Sequence, residues 1–255
     1  MPRGLRTGIC LCMALTIHGG WLRAQIAEPI LTRSAIPFAP GAGGIKLEYA
    51  GGLGSTGGGS EVIPEGTLEE GVTGGVEALL RFPLLRVHLS PGATVIGGGQ
   101  LAIGARALIG GGARRAFAVS LQAVIETPTG NTRLVGDATQ LMPTVLADWR
   151  PVSKVVVHAN LTYDRSVGHT LSRASFLEFQ NAITWRLTDR VVPVLELVSS
   201  TNTFSARTQL VTQPEVILRA GPHFEWKAGL QLGLTQAAPS LGLRIQFAAF
   251  WGKRE

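Results

Sequence analysis

Beyond residue 24 the chain carries four histidines, His88, His158, His169 and His223, and these are the first places to look for acid–base or metal chemistry. They lie on separate segments with none of the short spacings a metal site uses, so no metal is expected. His88-Leu89-Ser90 sets an imidazole and a hydroxyl two residues apart, on one face if the segment is a strand, which is the placement a nucleophile and its base require. No third group to orient that imidazole can be identified, and Pro91 makes a turn the plainer reading. No catalytic residue and no enzyme activity are therefore expected; a lipid hydrolase built on Ser90 stands third among the readings. His158 and Asn160 share a strand face with Asp164, either as substrate-contacting groups or, more ordinarily, as a hydrogen-bonded pair fixing a wall. Gly51–Ser60 has no following Lys-Ser/Thr and opens no helical pattern, so it reads as an outer loop and not a phosphate cradle. Nothing points to a cofactor.

The elements that must position these residues begin after an N-terminal leader. Arg3 and Arg6 precede an apolar run from Thr7 to Leu22 ending in Arg23-Ala24-Gln25, the form of a cleaved secretory signal peptide over residues 1–24. Cys10 and Cys12 are the only cysteines, so the mature chain is expected to hold no thiol for a disulfide, a metal or a nucleophile. Removing the leader also takes three arginines, leaving 20 basic against 17 acidic residues. Those basic residues are scattered singly, Arg114-Arg115 apart, which argues against nucleic acid as a partner.

Past the leader no apolar stretch approaches the length of a membrane helix. Period-two alternation dominates instead, in segments of about ten residues separated by Gly, Pro, Asn, Asp and Ser clusters. In the last segment Leu241, Leu243, Ile245, Phe247, Ala249 and Trp251 alternate with Gly242, Arg244, Gln246, Ala248 and Phe250. Strands are read at 43–51, 68–82, 84–90, 100–109, 115–126, 140–150, 154–164, 175–187, 191–199, 209–220, 224–235 and 241–251. That is about 12 strands, or ten if the weak 43–51 and 84–90 are dropped. The fold class is all-β, a transmembrane antiparallel β-barrel in the outer membrane.

Residues 25–42 are read as a short periplasmic segment, 43–251 as the barrel and 252–255 as a tail. Short turns are expected near Pro83, 110–114, 151–153, 188–190 and 221–222, with longer loops near 52–67, 91–99, 127–139, 165–174 and 200–208. Phe82, Phe117, Trp149, Trp185, Phe224, Trp226, Phe250 and Trp251 then fall at the periplasmic strand ends as an aromatic girdle. Parity turns Arg106, Gln122, Glu126, Asp148, His158, Asn160, Glu178, Arg186, Glu196, Arg219, Lys227, Arg244 and Gln246 toward the lumen, where they could contact a solute. Val124, Leu146, Val156, Val194 and Ile217 share that parity and suit a moderately hydrophobic one.

From residue 115 onward several short motifs resemble one family: Pro128-Thr129-Gly130, His158-Ala159-Asn160-Leu161, Glu196-Leu197 after the turn at Asp189, Gly221-Pro222, and Pro239-Ser240-Leu241-Gly242-Leu243-Arg244. Together they are similar to the outer-membrane proteins of the MetA-pathway of phenol degradation. The resemblance implies a passive channel or transporter, by likeness to barrels that admit fatty acids and aromatic hydrocarbons. Those barrels carry an N-terminal plug; here Pro29, Pro37 and Pro40 argue against a folded hatch. The function expected is passage of a small solute, hydrophobic or aromatic in character. A structural or surface-interaction barrel with an occluded lumen is the alternative. Outer-membrane lipid, lipopolysaccharide and the barrel-assembly machinery are the partners such a chain implies.

Overall fold

In the computed structural model, residue 28 and residues 30–53, 59–89, 93–131, 138–167 and 175–252 are described. The leader, Ser90, His169 and the last three residues lie outside them. The strands are β1 (Gly43–Leu53), β2 (Gly59–Thr73), β3 (Val76–Leu89), β4 (Ala93–Gly98), β5 (Leu101–Gly111), β6 (Phe117–Thr127) and β7 (Thr139–Val152). They continue as β8 (Val155–Val167), β9 (Ser175–Trp185), β10 (Val191–Asn202), β11 (Thr208–Arg219), β12 (Phe224–Gly233) and β13 (Leu241–Trp251).

Apart from β4 and β5, consecutive strands pair antiparallel, and β1 pairs with β13 from Gly43↔Trp251 to Leu53↔Leu241, which closes the sheet. β4 pairs with the outer half of β3 and β5 with its inner half, so these two pieces form one wall strand broken at Gly99-Gln100. The ring therefore has twelve strands. Closure leaves no edge, and every wall amide can pair within the sheet, as hydrocarbon demands. At usual spacing and tilt such a ring has a backbone radius of roughly 12 Å.

The first third of the barrel departs from the reading by alternation. Val62 to Thr73 and Val76 to Arg81 belong to two strands joined at Gly74-Gly75, not to one strand over 68–82. Gly75 has φ +86°, the left-handed conformation a two-residue hairpin needs and glycine alone adopts freely. Pro83, expected in a turn, lies inside β3, where the break between β4 and β5 leaves the ladder interrupted and Gly99 donates to its carbonyl. The long loops expected at 52–67 and 91–99 are largely strand, β2 and β4.

Side chains sort by parity into an inverted protein. Leu47, Leu121, Leu161, Phe179, Leu243 and Ile245 are 39–48% exposed on the outer face, while Lys46, Gln122, Asn160, Gln180, Arg244 and Gln246 are buried on the inner one. An apolar exterior around a polar interior is what lipid selects. Phe117, Trp149, Trp185, Phe224, Trp226 and Trp251 point outward at one end of the barrel, with Trp226 and Phe247 packed at 4.8 Å. Two expected girdle members are elsewhere. Phe82 sits midway along β3, covering Gly66 across the β2–β3 ladder, and Phe250 is buried inside against Phe38, 6.2 Å between ring centres.

This sidedness fixes an expected result. Ile245→Arg moves a charge onto the acyl-chain face and is expected to cost about 2–4 kcal/mol near the bilayer midplane. Equilibrium urea refolding into vesicles will show that loss, whereas Ile245→Val will refold like the parent; equal stability of both would place Ile245 on the wrong face.

Candidate functional site: a lumen threaded by the N-terminal segment

The lumen is filled from the chain's own N-terminus. Glu28 and every residue from Ile30 to Phe38 are buried. They lie inside the ring and not in the periplasm, as residues 25–42 were expected to do. The prolines were expected to argue against a folded hatch, yet the lumen is plugged: the segment has no helix or strand and is held by the wall instead.

An irregular chain in a barrel must find partners for every buried amide. Glu196 of β10 accepts from the Leu31 and Thr32 amides at 2.9 and 2.8 Å. Glu215 of β11 accepts from the Ile30 amide at 3.0 Å, and Glu77 of β3 from the Phe38 amide at 3.0 Å. Asn160 of β8, with its amide turned to satisfy both atoms, accepts from the Arg33 N–H at 2.6 Å and donates to the Arg33 carbonyl at 3.0 Å. The segment's carbonyls are met by cations and a hydroxyl: Lys227 donates to Glu28 at 2.7 Å, Arg106 to Ser34, and Ser120 to Ala35.

Side chains complete the docking. Ser34 donates its hydroxyl to Asp148 at 2.6 Å, and the other oxygen of Asp148 holds His158 Nδ1 at 2.8 Å. Arg33 reaches Gln122 at 2.8 Å and Glu69 at 3.7 Å, while Lys46 lies 3.0 Å from Glu69 and 3.7 Å from Glu28. Burial pushes the Glu28 carboxyl up to about 7, with Lys46 the largest influence pulling it back. Ala35, Ile36 and Phe38 pack on Ala118, Leu146, Ala248 and Phe250. The segment leaves the lumen over Gly71, where Gly41 donates to the Gly71 carbonyl and the Gly71 amide to Ala42, both at 2.9 Å. A Cβ on Gly71 would come 2.1 Å from the Ala39 carbonyl oxygen, so the crossing requires glycine.

Of the residues expected in the lumen, Arg106, Asp148, His158, Asn160, Glu196 and Lys227 meet at this docked segment or at its immediate supports. Arg106 also pairs with Glu77 at 2.7 Å. Arg219 pairs instead with Glu225 at 3.0 Å, Arg244 with Glu48 at 2.7 Å, and Gln246 donates to Glu48 at 3.1 Å, all within the wall. Glu126 pairs with Arg81 farther out along the lumen, and buried Glu178 accepts from Gln180. Arg186 is not in the lumen: it lies past the end of β9 and donates to the Ser153 carbonyl at 3.1 Å in a neighbouring turn.

Sequence reasoning missed Lys46, Glu69, Glu77 and Glu215 as contacts of the segment, along with Glu28, Arg33 and Ser34 on it. A signal was present, because Ile30, Leu31, Ile36 and Phe38 are too apolar for a segment left in water. Among the described side chains, twelve carboxylates turn inward: Glu28, Glu48, Glu65, Glu69, Glu77, Glu126, Asp148, Asp164, Glu178, Glu196, Glu215 and Glu225. Eight cations face them: Arg33, Lys46, Arg81, Arg106, Arg150, Arg219, Lys227 and Arg244. The interior is thus acidic although the whole chain is basic. Among the described residues no cluster of three or more His, Cys, Asp or Glu has the geometry of a metal site.

Solved structures with this fold are outer-membrane barrels. The COG4313 outer membrane channel from Pseudomonas putida F1 superposes with a TM-score of 0.67 at 12% identity, covering 85% of this chain and 98% of that one. The NanC porin follows with 0.59 at 12% identity, covering 82% and 100%, and the KdgM porin in complex with disordered oligogalacturonate with 0.53 at 8%, covering 83% and 99%. No curated protein sequence matches. A family model does match, over residues 49–249, and the chain belongs to the outer-membrane family described as "Putative MetA-pathway of phenol degradation".

Proposed function

We propose that the protein is a passive outer-membrane channel for a small solute, with its N-terminal segment as the gate. The observation that carries this is how the lumen is filled. The occluding segment is joined to the barrel covalently only at Gly43 and is otherwise held by hydrogen bonds, ion pairs and one apolar cluster. A barrel needed only as a scaffold could fill its interior with wall side chains. This one leaves room for a separate strand of chain, and what is docked by separable contacts can undock. The family to which the chain belongs and the porins that share its fold support passage as the purpose. The apolar lining at Val124, Leu146, Val194 and Ile217 suits a solute with hydrophobic or aromatic character.

Catalysis is not part of this reading. Ser34, Asp148 and His158 resemble a triad by composition, but the Ser34 hydroxyl is bonded to Asp148 and not to the imidazole. The imidazole that would take the hydroxyl's proton is thus on the far side of the carboxylate, and the arrangement works as a latch. Lipopolysaccharide around the apolar belt and the barrel-assembly machinery during insertion are the partners the reading implies. The occluded lumen also favours a second reading, a surface barrel that never opens, and flux separates the two.

Deletion of residues 28–38 is expected to raise swelling rates of proteoliposomes in neutral sugars several-fold over the full chain. If the deleted barrel is folded and swelling is unchanged, the segment is not the gate. If neither protein passes solute, the closed-barrel reading stands.

The carboxylates that hold the segment set a graded test. A hydrogen bond to a charged group contributes about 1.5–3 kcal/mol, and every 1.4 kcal/mol is tenfold in an equilibrium. Glu196→Ala with Glu215→Ala removes the acceptors of the Ile30, Leu31 and Thr32 amides and is expected to raise open probability in planar bilayers at least tenfold. Glu126→Ala, away from the segment, is expected to change it far less.

A further inference from the structure

We propose that the periplasmic rim of the barrel, from the β5–β6 turn to the β9–β10 turn, binds an anionic phospholipid of the surrounding leaflet, with Arg114, Arg115, Lys154 and Arg190 as the groups that take its phosphate. The site lies outside the lumen and does not depend on whether the lumen conducts. Three observations lead there.

The first is charge. The β5–β6, β7–β8 and β9–β10 turns, with the strand ends beside them, cover residues 112–116, 150–154 and 186–190 and hold six basic residues against one acid, Asp189. Arg114, Arg115, Lys154 and Arg190 are exposed there. These are consecutive hairpins of the ring, so each turn stands two strand spacings, roughly 10 Å, from the next. At the same end the β2–β3 and β11–β12 turns, 74–75 and 220–223, carry no Lys or Arg. Positive charge is thus gathered on one side of the rim, where it attracts a shared anion.

The second is that the patch is built. Arg150 donates from its backbone N–H to the Ala116 carbonyl at 2.7 Å and from its guanidinium to the Ala113 and Arg115 carbonyls, both at 2.8 Å, which ties β7 to the β5–β6 turn. Arg186 ties the end of β9 to the β7–β8 turn in the same two ways, its amide donating to the Lys154 carbonyl at 2.8 Å and its guanidinium to that of Ser153 at 3.1 Å. The Thr188 hydroxyl accepts from the Arg190 and Val191 amides at 3.2 and 3.0 Å and shapes the third turn. The four exposed cations therefore stand on braced backbone, and three of them are arginines, whose planar forks match phosphate oxygens.

The third is what lies beside the cations. Phe117, Trp149, Val152, Trp185 and Leu187 are 50–59% exposed at the same strand ends and turns. Short turns face the periplasm, and rings at this level sit at the boundary between acyl chains and headgroups. A basic fringe continuous with an apolar belt fits one molecule that carries both a phosphate and acyl chains. A soluble acidic protein would meet the charge but leave the indoles, Val152 and Leu187 uncovered.

Native mass spectrometry of the protein purified from outer membranes compares two lipids with identical oleoyl chains, phosphatidylglycerol and phosphatidylcholine. Phosphatidylglycerol is expected to be held roughly tenfold more tightly, and Arg114→Gln, Arg115→Gln, Lys154→Gln and Arg190→Gln together to bring the two lipids to parity. Arg114→Gln with Arg115→Gln alone should lower the preference roughly threefold, which covers the case in which the fourfold variant does not fold. Arg150 and Arg186 are kept, because they brace the turns. Arg207→Gln, exposed at the opposite end of the barrel, should leave the preference as it is. Heat-shifted mobility on a gel reports folding of each. Glycerol 1-phosphate, the headgroup without its chains, should displace little of the lipid at equal concentration. Equal binding of the two lipids by the parent, an unaltered preference in either folded variant, the same loss in Arg207→Gln, or full displacement by glycerol 1-phosphate would each overturn the proposal, the last by reducing the rim to a site for free phosphate.

Discussion

The structure depends on one constraint: a polypeptide buried without helix or strand must have its peptide groups satisfied by something else. The wall of a closed barrel has already used its own amides and carbonyls in the ladder, so only its side chains are available. Glu77, Glu196 and Glu215 accept from the segment's amides, while Lys227, Arg106 and Ser120 donate to its carbonyls. Carboxylates suit the first role because each offers acceptor sites only and makes charge-assisted bonds. The acidic interior follows from that requirement, and so does the inward placement of almost every described acidic residue. Much of the inward charge is thus the means of docking a peptide: Glu69, Glu77, Asp148, Glu196 and Glu215 all reach the segment.

Much of the barrel was legible because its physics repeats. Beyond Phe117 each strand alternates cleanly, the turns fall where Gly221, Pro222 or Asp189 allow them, and the final strand has the parity its residues demand. The first third was not, for two local reasons. Gly74-Gly75 is a two-residue turn inside a stretch that alternates on both sides of it, so the pattern runs through the turn unbroken. Pro83 reads as a breaker but lies in β3 beside the gap between β4 and β5, where one ladder hydrogen bond is already missing. The total of twelve strands survived because a strand wrongly divided at Pro83 offset one wrongly fused at Gly74-Gly75.

The plug was hidden for a different reason. Alternation and turn chemistry are properties of neighbouring residues, whereas Ser34 finds Asp148 across 114 positions and Glu28 finds Lys227 across 199. Nothing local announces such contacts. Hydrophobicity at Ile30, Leu31, Ile36 and Phe38 does show that the segment is buried somewhere, and Gly71 shows where the chain passes close enough to exclude a side chain. Parity turns wall residues such as His158 and Asn160 inward while leaving open what they face. They face protein.

That distinction bears on how such a barrel can conduct. Residues engaged with the segment are not free to greet a solute while the segment is docked, so first recognition falls to side chains beyond its outer limit. Opening must break several charge-assisted bonds, and the wall groups they leave behind become lining for whatever enters. The same carboxylates that hold the gate closed would then make the open passage acidic. An interior of this charge can select against anions in both states, outward of the gate when closed and along its length when open. Docking and selectivity thus share one set of residues, and a change in one will be felt in the other.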